Sequence, residues 1–242
     1  MKRILMAVLT VIGLATAPVV TAAELTEAEV KRLALEAILE NPDIVMQAVA
    51  ILQQREDAAQ ALATKEVLAA QRDRLERDPN APVIGNPQGD VTVVEFFDYN
   101  CPYCRRAAQD VQALIAADVD VRVVYREWPI LGEESVFAAR AALAARKQGQ
   151  YEAFHWAMMQ IKGRANEASV MKVAADLGMD TDRLRADMDA PEIEEHIATS
   201  MDLARLLGFN GTPSFVIGDT PAPGLIPLEE LQRLVALARS DK

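Results

Sequence analysis

From residue 24 to residue 78 the chain is dominated by Ala, Leu, Glu, Gln and Arg and has no glycine, a pattern that predicts helix throughout. Asn41-Pro42 divides the stretch in two: Asn41 can cap a second helix and Pro42 can stand in its first turn, where a missing N–H costs nothing. From Ile44 the second helix runs about 30 residues. Its apolar positions Val45, Ala48, Leu52, Ala59, Leu62 and Ala69 fall on steps of three and four, broken by Arg55 and Glu66, which makes an imperfect heptad stripe. So thin and Ala-rich a stripe buries little alone and needs a partner surface, either another copy of the chain or its own globular domain.

Turn residues then crowd Asp78-Pro79-Asn80-Ala81-Pro82 and Gly85-Asn86-Pro87-Gln88-Gly89, so 79–90 reads as a linker and 91–242 as the main domain. Val91 to Phe97 is almost continuously apolar, the pattern of a central strand covered on both faces. An Ala-rich helix to about Ala117 and a strand from Val119 to Tyr125 follow. Helical periodicity then fills about 133–207, with breaks at Gly149, Gly163, Gly178 and Pro191. After the turn cluster Gly208-Phe209-Asn210-Gly211-Thr212-Pro213 come a short strand, Ser214 to Ile217, and an amphipathic helix, Pro227 to Arg239. Strand, helix, strand, several helices, strand, helix is an α/β order.

Composition adds two points. With 25 basic against 36 acidic residues the net charge is −11, which disfavours nucleic acid and anionic lipid as partners. Residues 1–23 carry Lys2 and Arg3, an apolar run from Ile4 to Ala17 and a small-residue site at Thr21-Ala22-Ala23, the pattern of a cleavable secretory signal; export to the periplasm is the expectation.

Export changes the reading of the only two cysteines, Cys101 and Cys104, which share the tetrapeptide CPYC. A disulfide across two intervening residues closes too small a loop to constrain an unfolded chain. A structural metal site is not expected either, because His155 and His196 have no ligand-like spacing to each other or to the cysteines. A redox pair remains. Cys101 falls where a strand ends and a helix begins, so unpaired N–H groups favour its thiolate; Pro102 suits the first turn, and Cys104 stands one turn on along the same face. An exposed attacking thiol with a shielded resolving thiol is what exchange requires. Glu95, inside VVEFF, is either a poorly solvated acid able to pass a proton to or from Cys104, or a sheet-edge residue reaching water. His155, Trp156 and the scattered methionines read as core, and Arg105 and Arg106 as a solvated face.

EFFDYNCPYCRR followed by the distant GTPSFVIG resembles the thioredoxin superfamily, specifically its DsbA-like exported branch, over about residues 90 to 240. The resemblance implies a thioredoxin fold with a helical insertion between CxxC and a cis-proline loop. Pro213 matches that proline and Thr212 the residue before it, a place where an extended substrate pairs with the backbone beside Pro102 and Tyr103. It also implies an acidic proton-transfer residue at Glu95 and no cofactor. Tyr103 replaces the histidine of the family's strong oxidase and brings no positive charge to Cys101, so a milder oxidant is expected. ENPDIV, CPYC and the Thr-Pro loop further resemble the suppressor-of-copper-sensitivity C type, some members of which trimerise through such a helix. That likeness implies a homo-oligomer, suspected to be a trimer, built through residues 24–78. It also implies cysteine-containing exported clients and a membrane redox partner. The function expected is disulfide isomerase or reductase; a monomeric disulfide oxidase and a Cu(I)-binding module stay as alternatives.

Overall fold

The computed structural model describes residues 25–240, so the expected signal sequence lies outside the described residues. The chain divides into two compact units between Asp57 and Ala58.

The first unit holds α1 (Glu27–Glu40) and the beginning of α2 (Asp43–Glu76). Thr26 caps α1 in a capping box with Glu29, each side chain bonded to the other's backbone N–H. Asn41 closes α1 rather than capping α2 with its side chain: its carbonyl accepts from the Ile44 N–H, and α2 starts at Asp43, one residue beyond Pro42. Leu33, Leu39, Val45, Met46, Ile51 and Leu52 all stand exposed.

The second unit begins inside α2. Leu68 and Leu75, seven residues apart on α2, are both buried in a cluster with Val94, Phe96, Val124 and Val216. The helix therefore finds part of its partner surface on its own globular domain. Its C-terminal end packs on the unit's own sheet, while Val45, Leu52 and Leu62 of the heptad stripe remain uncovered. Ion pairs from Arg72 to Asp219 and from Arg74 to Asp202, the latter at 3.0 Å, hold that end from the side.

The sheet runs β1-β3-β2-β4-β5, with β1 (Val83–Gly85), β2 (Val91–Phe97), β3 (Val121–Glu127), β4 (Ser214–Ile217) and β5 (Thr220–Pro223). β2 and β3 are parallel, joined through α3 (Pro102–Ala117), and the other pairings are antiparallel. Two elements were not visible in the pattern. β1 forms inside the segment read as a linker, because Val83 and Ile84 find an edge on β3 and Gly85, at φ +80, ends the strand where a Cβ would meet the Val121 carbonyl oxygen at 2.7 Å. β5, with its two prolines, pairs with β4 at the opposite edge, the position where proline is tolerated. β3 starts two residues later than expected, at Val121, because Asp118 caps α3 and the Val121 N–H bonds back to the Asp118 carbonyl.

The region 133–207 is a helical insertion: α4 (Glu133–Ala145), a short 3-10 turn, α5 (Tyr151–Met159), α6 (Glu167–Asp176), α7 (Thr181–Asp187) and α8 (Pro191–Leu206). α9 (Leu228–Ser240) closes the chain. One face of the sheet carries the larger core, with α3, α9 and much of the insertion on Val91, Val93, Phe97, Val123 and Tyr125. The other face carries α2 and the end of α8. β2 lies between these layers, so its alternate residues face two cores, and a Glu in it has no path to a sheet edge.

Candidate active site

β2 ends at Phe97 and α3 begins at Pro102, leaving Asp98 to Cys101 to make the turn. The Asp98 carboxylate builds it. It accepts from the backbone N–H of Asn100 at 2.8 Å and from those of Ile130 and Leu131 at 2.9 Å each, while the Asp98 carbonyl accepts from the Cys101 N–H at 3.0 Å. Asn100 ties the same turn to the insertion, accepting from the Ala165 N–H at 2.8 Å and donating to Ser135 Oγ at 3.1 Å. Arg105 departs from the expected solvated face: it is only partly exposed and donates to the carbonyls of Tyr99, Ile161 and Gly163. Arg106 is exposed. Neither Asp98 nor Asn100 stood out in the sequence, although Asp and Asn beside a strand-to-helix turn are the residues that bond their own backbone.

Cys101 is the N-cap of α3 with Pro102 at the first turn, and Cys104 follows on the buried face. Both are free thiols. The expected contrast of exposed and shielded sulfurs is softer than anticipated: Cys101 is 4% exposed and Cys104 0%. The Thr212 loop covers Cys101, whose Sγ lies 3.2 Å from the Thr212 carbonyl oxygen, 111 residues away in sequence. The Thr212-Pro213 peptide bond is cis. Pro213 is buried, Thr212 is partly exposed, and Pro102 and Tyr103 are exposed, Tyr103 at 62%. Cys101, Cys104, Pro102, Tyr103, Thr212 and Pro213 thus meet at one end of the sheet.

The two thiols differ strongly in acidity. A hydrogen bond from the Cys104 side chain lowers the Cys101 pKa to about 5 against the opposing effect of burial, helped by the Thr212 side chain and the N–H groups of Cys104 and Tyr103. Burial, followed by that same hydrogen bond and the charges of Glu95 and Cys101, pushes Cys104 well above an ordinary thiol. Glu95 belongs to the larger core: it is 1% exposed, on the face shared with Val93 and Phe97, and neither carboxylate oxygen has a hydrogen-bond partner. Burial, then the charge of Cys101, raises its pKa to about 8. The sheet-edge alternative for Glu95 is therefore set aside. His155 is core, as expected, with its pKa lowered by burial to about 3. Among the described residues no group of three or more His, Cys, Asp or Glu side chains is arranged to hold a metal ion, and no helix is long and apolar enough to cross a membrane.

Residues 92–236 match the family model of the DSBA-like thioredoxin domain. A thioredoxin-like oxidoreductase from Silicibacter pomeroyi DSS-3 is 64% identical, with a TM-score of 0.69, over 70% of this chain and 98% of that one. A linker-deletion mutant of ScsC from Proteus mirabilis is 27% identical, with a TM-score of 0.70, over 92% of this chain and 100% of that one. In sequence, the chain is 31% identical over 164 residues to the Na(+)/H(+) antiporter NhaA 3 of Salinispora tropica, a match covering 66% of this chain. It spans only 25% of that protein's length.

Proposed function

The chain belongs to the family of DSBA-like thioredoxin domains, and from that membership we propose that it is a thiol-disulfide oxidoreductase acting through Cys101 and Cys104. Within that chemistry it serves as a disulfide isomerase or reductase for misoxidised, cysteine-containing exported proteins in the periplasm. The observation that carries the proposal is the paired acidity of the two thiols: Cys101 ionises near pH 5 and attacks at neutral pH, while Cys104 keeps its proton until Cys101 is engaged in a mixed disulfide. Glu95 acts as the acid-base group that takes the Cys104 proton as that sulfur attacks, and returns it in the reverse direction. Thr212, Pro213, Pro102 and Tyr103 frame the client's cysteine.

The isomerase reading rests on the first unit. Large apolar side chains exposed along α1 and the first half of α2 favour self-association, which would set several CPYC sites in one assembly able to hold a client through repeated exchange. A membrane redox partner keeps Cys101 and Cys104 reduced. Reactivation of scrambled ribonuclease, compared with oxidation of reduced ribonuclease, tests the reading on the intact mature chain and on a chain carrying Val45→Asp and Leu52→Asp. Reactivation by the first and its loss in the second, with thiol reactivity unchanged, is the expected result. Oxidation without reactivation, equal in both chains, would instead make the protein a monomeric oxidase. Neither activity would point to the Cu(I)-binding alternative.

A further inference from the structure

Behind the CPYC turn lie six polar side chains that the exchange chemistry above does not use. Tyr99, Tyr125, Tyr151, Glu127, His155 and His196 are each 5% exposed or less. They come from β3, α5, α8 and the turn after β2, yet they adjoin one another through the interior, by ring contact at Tyr125 and His155 and by polar contacts beyond. Tyr125 is the register partner of Glu95 across the parallel β2–β3 pair, and its ring lies 4.3 Å from that of His155. His155 Nδ1 is 3.0 Å from the Tyr99 hydroxyl, which is within hydrogen-bonding reach of Tyr151. Tyr151 donates to Glu127 Oε1 at 2.6 Å, and Glu127 Oε2 lies 2.7 Å from His196 Nε2. The other nitrogen of His196 faces Asp78 Oδ2 at 3.9 Å, and Asp78, 12% exposed in its side chain, pairs with Arg126 at 2.6 Å.

Hydroxyl and imidazole groups are costly to bury, and phenylalanine or leucine would fill the same space without that cost. At the end of the series nearest the thiols, Tyr125 Oη, His155 Nε2 and both Glu95 oxygens are buried without hydrogen-bond partners, and at the far end so are Glu127 Oε2 and His196 Nδ1, so the interior retains unused donor and acceptor capacity at both ends. At the other end His196 offers one ring nitrogen to each of two carboxylates, an arrangement in which a proton accepted at one nitrogen can be released from the other.

We propose that these six side chains form a proton relay between Glu95 and the half-buried Asp78, allowing Glu95 to exchange protons with solvent while a client covers Cys101. The inference rests on the reading of Glu95 as the acid-base group for Cys104. In the resolving step the Cys104 sulfur attacks Cys101; the Cys101–Cys104 bond forms, the Cys101–client bond breaks, and the client leaves as a thiolate, reduced by two electrons as this chain is oxidised. The Cys104 proton passes to the Glu95 carboxylate, then through the relay, each group accepting one proton and giving one up, until one is released at Asp78. Glu95 and Cys104 are each 1% exposed or less, and Thr212 overlies Cys101, so the front of the site gives that proton no direct contact with water.

The test is rapid-quench mass spectrometry of the intact reduced protein mixed with oxidised glutathione, which separates formation of the Cys101–glutathione adduct from its resolution by Cys104. Tyr151→Phe removes one hydroxyl and little volume. It should leave adduct formation unchanged and slow resolution roughly tenfold, below the hundredfold or more typical of a positioned acid-base group. The solvent deuterium isotope effect on resolution should grow. Tyr125→Phe should act in the same direction and supplies the result should Tyr151→Phe fail to fold. Combined with Glu95→Gln, Tyr151→Phe should slow resolution no further, because both act on one proton. Tyrosine variants resolving at the wild-type rate beside a slow Glu95→Gln would overturn the relay and leave the Glu95 reading intact. Additive slowing would also overturn it, by assigning Tyr151 a packing role. Wild-type resolution in Glu95→Gln would remove the Glu95 reading and the relay with it.

Discussion

Cys101 caps the helix that carries Cys104, yet their acidities diverge: the hydrogen bond between them lowers Cys101, whereas burial, and then that same bond, raises Cys104. The thiol that donates is held protonated and the one that accepts is held as thiolate. Glu95 beneath them carries an energetic cost that can be measured. Its folded pKa of about 8 lies above the ordinary 4.5, so the fold accommodates it freely below pH 4.5 and loses stability as pH rises toward 8. Glu95→Gln removes that penalty. The variant should match the wild-type Tm near pH 4.5 and exceed it increasingly up to pH 8, where the gap levels off; the gain is at most about 1.4 kcal/mol per pH unit across the window. Thermal melts of the reduced protein from pH 4 to pH 9 give the curve, and a flat difference would mean that Glu95 is solvated in solution. At this scale the sequence was informative about identity and blind to context. A strand-to-helix CxxC is visible as a string, and so is an acid inside an apolar run. That Cys101 is covered by Thr212, or that Asp98 and Asn100 hold the turn, depends on atoms 30 or more positions away.

The elements follow their periodicities closely where one core face dominates. Val91 to Phe97, Pro102 to Ala117 and Ser214 to Ile217 form as read, since apolar runs and N-terminal helix signals act within a few residues. β1 and β5 escaped because short edge strands owe their existence to the strand beside them. α2 is the instructive case. On one continuous helix its pair Leu68 and Leu75 is buried against the sheet, whereas Val45, Leu52 and Leu62 of the heptad stripe are exposed. Leu75→Ala should therefore cost about 2–5 kcal/mol, the usual range for opening a cavity at a buried leucine, measured by urea denaturation. Leu52→Ala, at an exposed position, should leave that transition where it is. Equal effects at the two positions would show that the helix behaves as a single packing unit. A chain shortened to start at Asp78 would lose both buried leucines, so Ala58 is the physically sensible start for a catalytic fragment.

For the molecule as a whole, the exposed apolar side chains of the first unit are the support for the proposed association through that unit, against the mutual repulsion of chains with a net charge of −11. Sedimentation equilibrium should find an oligomer for the mature chain and a smaller species for the Val45→Asp, Leu52→Asp chain; a monomer in both cases would remove the basis for the isomerase reading. The two levels of information divide on physical grounds. Sequence by itself determined the α/β order, the helical insertion, the redox pair and the loop at Thr212 and Pro213, because periodicity, turn chemistry and motif residues are local properties that survive without a fold. Only the tertiary structure decided that Glu95 is buried in the larger core, that α2 belongs partly to the catalytic unit, and that Tyr99, Tyr125, Tyr151, Glu127, His155 and His196 adjoin one another. Burial and hydrogen-bond partnership are relations between distant parts of the chain, and they come into being only when the sheet brings those parts together.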